Sequence, residues 1–274
     1  SSIRLDAGFS DEEVRQVIST AEQFGMGVVL NASPATDANL ARLSKLGIPL
    51  KNTVACHNYY PRVETGLSRP FVARQAEILH AHGSTVMGFV ASQKHHRYMT
   101  YEGLPTLECH RYTEPGRAAQ ELLTLGWCDH VYIGDQTEDQ AELKSILQAA
   151  QDPCLVLRIR LNPFVQEAEK SVALSGSHVH LPQDFELVHR ARGDRQRLNR
   201  PTILPQKDAM KRPRGTVTVD NILYPRFAGE LQITRVDLGP DIRTNVVGWV
   251  LDDDLTKLND LQPRVRFRFE VVAE

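Results

Sequence analysis

Five acidic residues stand where short β-branched runs give way to polar loops: Asp6, Glu64, Glu102, Glu108 and Asp135. Carboxyl groups placed in that way can give protons to a bound ligand or take them from it, and two acting on one bond suffice for acid–base or displacement chemistry. A second group lies within six residues of one run's end: His57, Asn58, Tyr60 and Arg62. Asn and His side chains suit sugar hydroxyls, Tyr60 offers a stacking face, and Arg62 can fork onto a phosphate or a carboxylate. Asn31, at the end of another run, adds an amide. Each residue also has a plainer reading. Asp6 can pair with Arg4 or Arg62, Asp135 can cap a helix beginning near Glu138, and Glu102 or Glu108 can cap the next helix or pair with Arg111. His57 can be a buried structural imidazole. Adjacent Cys-His pairs at 56–57 and 109–110, with His95-His96, invite a metal reading. No Cys-x-x-Cys or His-Glu-x-x-His spacing accompanies them, and carboxylate chemistry requires no metal or other cofactor, so none is expected.

The elements that must position these groups alternate. Strand patterns cover 3–6, 27–31, 54–57, 86–91 and 130–133, and helical patterns cover 11–24, 37–45, 70–81, 114–125 and 138–148. Ser10 followed by Asp11-Glu12-Glu13 is a helix start with its negative charge in the first turn, and Gly25 and Gly126 sit where helices stop. Strand–helix–strand in this rhythm means parallel β-structure with right-handed crossovers. From Asp6 to Asp135 the period is about 32 residues per unit, close to the ~31 of an eight-unit barrel of ~250 residues. In such a barrel all the strand ends open on one mouth, where chemistry is done. A doubly wound sheet is disfavoured because no Gly-x-Gly-x-x-Gly turn follows any strand. The expected fold is therefore a TIM (β/α)8-type barrel of which the last five βα units are visible. The chain opens directly on the strand pattern Ile3-Arg4-Leu5-Asp6, with neither an initiator Met nor a signal-like apolar run. Three further units are expected ahead of residue 1.

Composition excludes several classes. Apolar residues make up 41% of the 274, enough for a sizeable core, and 32 basic residues against 34 acidic leave a net charge of −2. That balance speaks against a general nucleic-acid binder or a membrane-surface protein. No apolar run approaches the ~18 residues needed to cross a bilayer. Four cysteines are too few for a disulfide scaffold at this length, so a reducing, cytoplasmic setting is expected.

After Gln151-Asp152-Pro153 the texture changes, which divides the chain into 1–152 and 153–274. Residues 189–215 hold nine Lys or Arg against Asp194 and Asp208, a net of +7 in 27 residues. This basic lead-in segment lacks the regular aromatic interleaving of a single-strand nucleic-acid binder. It reads either as a solvated linker or as a clamp whose Arg212 and Arg214 meet an anionic ligand. Beyond it the patterns at 216–219, 230–236, 245–251 and 264–272 are strand-like, so a small all-β domain is expected.

Several segments together resemble one family. They are Arg4-Leu5-Asp6-Ala7-Gly8-Phe9, Leu30-Asn31-Ala32-Ser33, Cys56-His57-Asn58-Tyr59-Tyr60-Pro61-Arg62, Thr65-Gly66-Leu67-Ser68, Tyr101-Glu102-Gly103-Leu104-Pro105-Thr106-Leu107-Glu108, His110-Arg111 and Ile133-Gly134-Asp135. Later in the chain come Asp220-Asn221, Gly229-Glu230-Leu231-Gln232-Ile233 and Asn245-Val246-Val247-Gly248. In order and spacing the chain resembles the bacterial 6-phospho-N-acetylmuramidases, glycoside hydrolases with a TIM barrel followed by a cyclophilin-like β domain. The resemblance implies cleavage of 6-phospho-N-acetylmuramyl glycosides in cell-wall sugar recovery. It points to Asp6 and Glu102 first as the working carboxylates, then Glu108 and Asp135. It adds Thr106, His110 and Arg111 to Asn31, His57, Asn58, Tyr60, Arg62, Arg212 and Arg214 as groups that contact substrate. The partner implied is a phosphorylated amino-sugar disaccharide, with a homo-oligomer compatible and neither nucleic acid nor membrane. Two alternatives stay open: a non-catalytic sugar-phosphate-binding protein, and another barrel enzyme acting on sugar phosphates. A Schiff-base lyase would need a strand-end Lys, which none of the five visible ends supplies.

Overall fold

A computed structural model describes residues 1–6, 8–98, 100–136, 139–192 and 201–272. It divides into two compact units, Ser1–Pro153 and Cys154–Glu274.

In the first unit five strands, β1 (Ser2–Leu5), β2 (Gly27–Asn31), β3 (Val54–Cys56), β4 (Thr85–Val90) and β5 (His130–Ile133), alternate with helices α1 (Asp11–Gln23), α2 (Asp37–Lys45), α3 (Arg69–Ala81), α4 (Pro115–Thr124) and α5 (Gln140–Gln151). All adjacent pairs are parallel, and the order across the sheet is the order along the chain. With no reversal there is no switch-point crevice of the doubly wound kind. The helix starts follow from local chemistry. Ser10 and Glu13 form a reciprocal capping box on α1, Thr36 caps α2, and the Glu114 carboxylate accepts from the Gly116 and Arg117 amides at the head of α4. At α5 the cap is Asp139, whose carboxylate accepts from the Ala141 and Glu142 amides; the capping role considered for Asp135 is not the one it plays. Leu30, Ala55, Val86 and Val90 on the strands pack with Val14, Leu40, Val72, Leu79 and Leu122 from the helices in one core.

The second unit is a seven-stranded sheet in the order β7-β12-β6-β11-β9-β10-β8, built from β6 (Leu155–Leu161), β7 (His178–Val179), β8 (Val188–Arg190), β9 (Thr216–Asp220), β10 (Leu231–Thr234), β11 (Thr244–Val250) and β12 (Arg266–Val271). Every pair is antiparallel except β6 with β12. The unit is not purely β. Helix α6 (Glu167–Ala173) and a 3-10 stretch, Asp252–Asp260, complete it. Side chains that carried the resemblance prove to be internal wiring. Asn245 donates to the Glu169 carboxylate and to the Leu204 carbonyl (2.7 Å), while its Oδ1 accepts from Asn221 (2.7 Å) and the Gln206 amide (3.2 Å). Arg195, Arg197 and Arg200 of the basic segment, with Asp194, lie outside the described residues.

Asp220 is buried among Thr244, Gln232 and Glu230, and burial, reinforced by the Glu230 charge, pushes its carboxyl up to about 6. The unfolded chain releases that proton near 3.8, so stability falls as pH rises from there to about 6 and stays lower above it. Asp220→Asn is expected to flatten this dependence and to stabilise the protein by about 1–3 kcal/mol at pH 7, measured as urea midpoints across pH 3.5–7.5.

Candidate active site

Three strand ends converge on one polar cluster. Arg4, on β1, donates from Nε to Asp6 Oδ1 (3.3 Å) and from its terminal nitrogen to Asn58 Oδ1. Asn31, closing β2, donates to the same Asp6 oxygen at 2.9 Å, and its own Oδ1 accepts from the Ser33 amide at 3.0 Å. Ser33 Oγ lies 3.5 Å from the Tyr60 hydroxyl. Asp6, Asn31, Asn58 and Tyr60 are thus brought together, with Arg4 and Ser33 between them. Asp6 Oδ2 has no partner among the described residues, and the side chain is 59% exposed. Asp6 and Asn31 also line a small cleft of ≈ 80 Å³ with Gly8, Phe9, Asn39 and Arg42.

Beneath this cluster lies His57, fully buried, with neither ring nitrogen partnered among the described residues. Burial and the adjacent Arg4 guanidinium push it down to about 4, so it is a neutral imidazole at physiological pH. Arg62 is exposed, and its guanidinium has no partner among the described residues.

A second layer is formed by the loop 91–107 and the 3-10 turn Glu108–His110. Arg111, with no exposed surface, uses all five of its N–H groups: Nε and Nη2 on the Glu108 carboxylate (2.8 and 2.7 Å), Nη1 on the carbonyls of Glu102 and Gly103, and Nη2 again on that of Arg62. Glu108 also accepts from the amides of Glu64 (2.9 Å) and Gly66 (2.7 Å). Arg111 foremost, with these amides, holds its carboxyl down at about 2. A Cβ at Gly66 would stand 2.6 Å from the Glu108 amide nitrogen, so only glycine allows that approach.

These contacts correct several expectations. Glu108 has both oxygens engaged by Arg111 and two amides and its carboxyl too acidic to donate a proton, so the geometry gives it a bracing role between residues 64–66 and Arg111. Asp135 is buried and accepts from the amides of Ser92 (3.0 Å), Arg97 (2.9 Å) and Leu104 (3.2 Å), which makes it the organiser of the loop. Thr106 is buried between the Phe89 amide and the Asn58 carbonyl. His110 is buried against Glu121, and Arg111 is fully occupied. Glu102 is exposed, and its Oε2 accepts from the Tyr112 hydroxyl at 3.4 Å rather than pairing with Arg111 through its carboxylate. In the second unit Arg212 donates to the Gly239 carbonyl, and Arg214 donates to the Leu255 carbonyl and Asn259. These two arginines brace their own unit's turns.

Sequence reasoning missed three contributors. Arg4 was seen only as a salt-bridge partner. Glu142, buried on α5, accepts from Ser92 Oγ and the Gln93 amide (both 2.7 Å). Glu121, buried on α4, joins His110 and Arg69. An acidic residue on the core-facing stripe of an amphipathic helix is the signal that would have marked both glutamates. Cys109, His110 and Glu121 bring potential ligand atoms within 4.8 Å of one another. The Arg69 guanidinium already binds Glu121 and lies 4.0 Å from Cys109 Sγ, so the positive charge of that cluster comes from the chain itself.

Among the described residues no helix is long and apolar enough to cross a membrane. Two family models match the chain: 6-phospho-N-acetylmuramidase, N-terminal, over residues 1–148, and 6-phospho-N-acetylmuramidase, C-terminal, over residues 155–270. Among solved structures, the chain is similar to an uncharacterized B. cereus protein at 26% identity and a TM-score of 0.80, covering 98% of this chain and 77% of that one. It is also similar to a conserved Enterococcus faecalis protein of unknown function at 31% identity and a TM-score of 0.62, covering 98% and 71%. A comparison with curated proteins finds no match.

Proposed function

Because the chain belongs to the 6-phospho-N-acetylmuramidase family, a family of glycosidases, we propose that it hydrolyses 6-phospho-N-acetylmuramyl glycosides during cytoplasmic recovery of cell-wall sugars. The observation that carries this reading is Asp6, at a strand C-terminus, whose Oδ1 is fixed by Arg4 and Asn31 while Oδ2 has no partner among the described residues and the side chain is largely exposed. Glycoside hydrolysis needs one carboxyl group to protonate the departing oxygen and a second to attack the anomeric carbon or activate water. Asp6, clamped and one-sided, is assigned the attacking or water-activating role. Glu102, exposed and touched by the Tyr112 hydroxyl, is assigned the proton donor. Asn31, Asn58 and Tyr60 would bind sugar hydroxyls, and Arg62, exposed and without a partner among the described residues, would take the 6-phosphate. His57, neutral and able both to donate and to accept, would fix a polar group at the floor of the site.

The parallel sheet with strands in chain order supports reading the first unit as part of a (β/α)8 barrel, whose mouth lies at the strand C-termini where Asp6, Asn31 and His57 stand. The second unit is read as a cyclophilin-like β domain, and that likeness of fold confers no isomerase activity. The test is turnover of a chromogenic 6-phosphomuramyl glycoside beside its unphosphorylated twin. Cleavage of the phosphorylated compound alone is the expected result. Tight binding without turnover of either would replace the hydrolase with a sugar-phosphate-binding protein.

A further inference from the structure

Loop residues 91–98 and 100–107 are held at the stem and bare at the tip. Asp135 takes three of their amides, Glu142 takes the Ser92 hydroxyl and the Gln93 amide, and Arg111 takes the carbonyls of Glu102 and Gly103. The His96 ring bridges the Ser92 and Tyr101 carbonyls, 2.8 Å from each. Gly134 is the residue that lets the loop lie this close to β5, since a Cβ there would stand 2.3 Å from the Leu104 carbonyl oxygen. A segment fixed by so many buried groups has little freedom left to tuck its side chains away. Yet Tyr98 is 71% exposed, Tyr101 is 58% exposed, and the neighbouring Tyr112 is 66% exposed. Tyr98 and Tyr101 meet edge to face, with ring centroids 6.0 Å apart. Tyr101 holds φ at 57°, a left-handed conformation that costs a non-glycine residue energy and is retained where the surroundings impose it.

Two solvated aromatic rings on a loop braced at its stem, with a third beside it, are an unfinished contact, because tyrosine offers a broad apolar face at little cost in conformational entropy. The occupant is indicated by Glu102, which lies next to Tyr101 in the chain and accepts from Tyr112. We propose that Tyr98 and Tyr101 form a stacking subsite for the sugar ring on the leaving-group side of the scissile bond, with Tyr112 positioning Glu102 beside the departing oxygen. This rests on the glycosidase reading, in which Glu102 protonates that oxygen. A pyranose presents a face of axial C–H groups that fits an aromatic ring, whereas a methyl or similar small leaving group gives the platform nothing to hold.

The test is calorimetric titration of two ligands, in a Glu102→Gln background that blocks turnover: a 6-phosphomuramyl–amino-sugar disaccharide and the single 6-phosphomuramic ring. The Tyr98→Ala/Tyr101→Ala variant is expected to bind the disaccharide about tenfold more weakly and the single ring unchanged. The Tyr98→Phe/Tyr101→Phe variant, which keeps both rings, is expected to bind both ligands as its parent does. Equal weakening of both ligands, no weakening of either, or failure of the parent to bind the disaccharide would overturn the subsite. Failure of the hydrolase reading shows separately, as absence of disaccharide turnover by the unsubstituted protein while the difference between the two ligands persists.

Discussion

Asp6→Asn and Glu102→Gln are each expected to lower kcat on a 6-phosphomuramyl glycoside by about 10²–10⁴-fold, the usual contribution of a positioned carboxyl in proton transfer or attack. The two losses should differ in character. In the proposed mechanism Asp6 acts on the sugar, so Asp6→Asn should lower the rate whatever group departs. Its amide can still accept from Arg4 and Asn31, so the fold and the KM should change little. Glu102 is the proposed proton donor to the leaving oxygen, and a departing group acidic enough to leave without a proton would make it dispensable. Glu102→Gln should therefore be severely impaired on a sugar leaving group and much less so on a nitrophenyl one. A profile of kcat against leaving-group pKa for both variants measures this directly. A steep dependence in the Asp6 variant and a flat one in the Glu102 variant would reverse the assignment.

Arg111→Met should cost about 3–5 kcal/mol of stability, the range seen when one partner of a buried ion pair is removed. Methionine fills much of the volume, so packing is not the issue. What is lost is every bond of a guanidinium with all five N–H groups in use, which leaves three carbonyls and the Glu108 carboxylate without their donor. Denaturant unfolding followed by circular dichroism measures the loss. The pH dependence separates charge from shape. Glu108 titrates at about 2 in the folded protein against its usual value near 4.5, so its contribution is complete above 4.5 and disappears as pH falls towards 2. The wild type should lose stability through that window, and Arg111→Met should lose much less there because the cation that stabilises the Glu108 anion is already gone.

The first unit was largely legible in the sequence because its signals are local. Short β-branched runs, a Ser10–Glu13 cap and glycines after helices locate β1–β5 and α1–α4 to within a residue or two. In the second unit β7 and β8 span two and three residues, too short to show alternation, and α6 is barely two turns long with a Gln166 cap that composition does not single out. The site was legible in part. Asp6, Asn31, Asn58 and Tyr60, singled out because strand ends of parallel sheets collect polar side chains, do lie together in one cluster. Glu108, Asp135, Thr106, His110 and Arg111 were misjudged because a charged or polar side chain in a loop is ordinarily solvated, whereas here a long connection needs internal supports for its own backbone. Which carboxylates face water and which face amides is decided by chain segments tens of residues apart, and no spacing rule carries that.

One consequence concerns the order in which the two sheets can form as the chain is synthesised. In the first unit each strand pairs with the strand made just before it, so the sheet grows a stave at a time behind the ribosome. In the second, β6 is among the first segments to emerge, yet its parallel partner β12 follows 112 residues later, at the pairing of Leu155 with Phe267. Until that stretch is made, one edge of β6 stays unsatisfied, with Leu155, Leu157 and Ile159 exposed beside it. The second unit therefore closes late and all at once, and its nascent form is the one with most need of a holding chaperone.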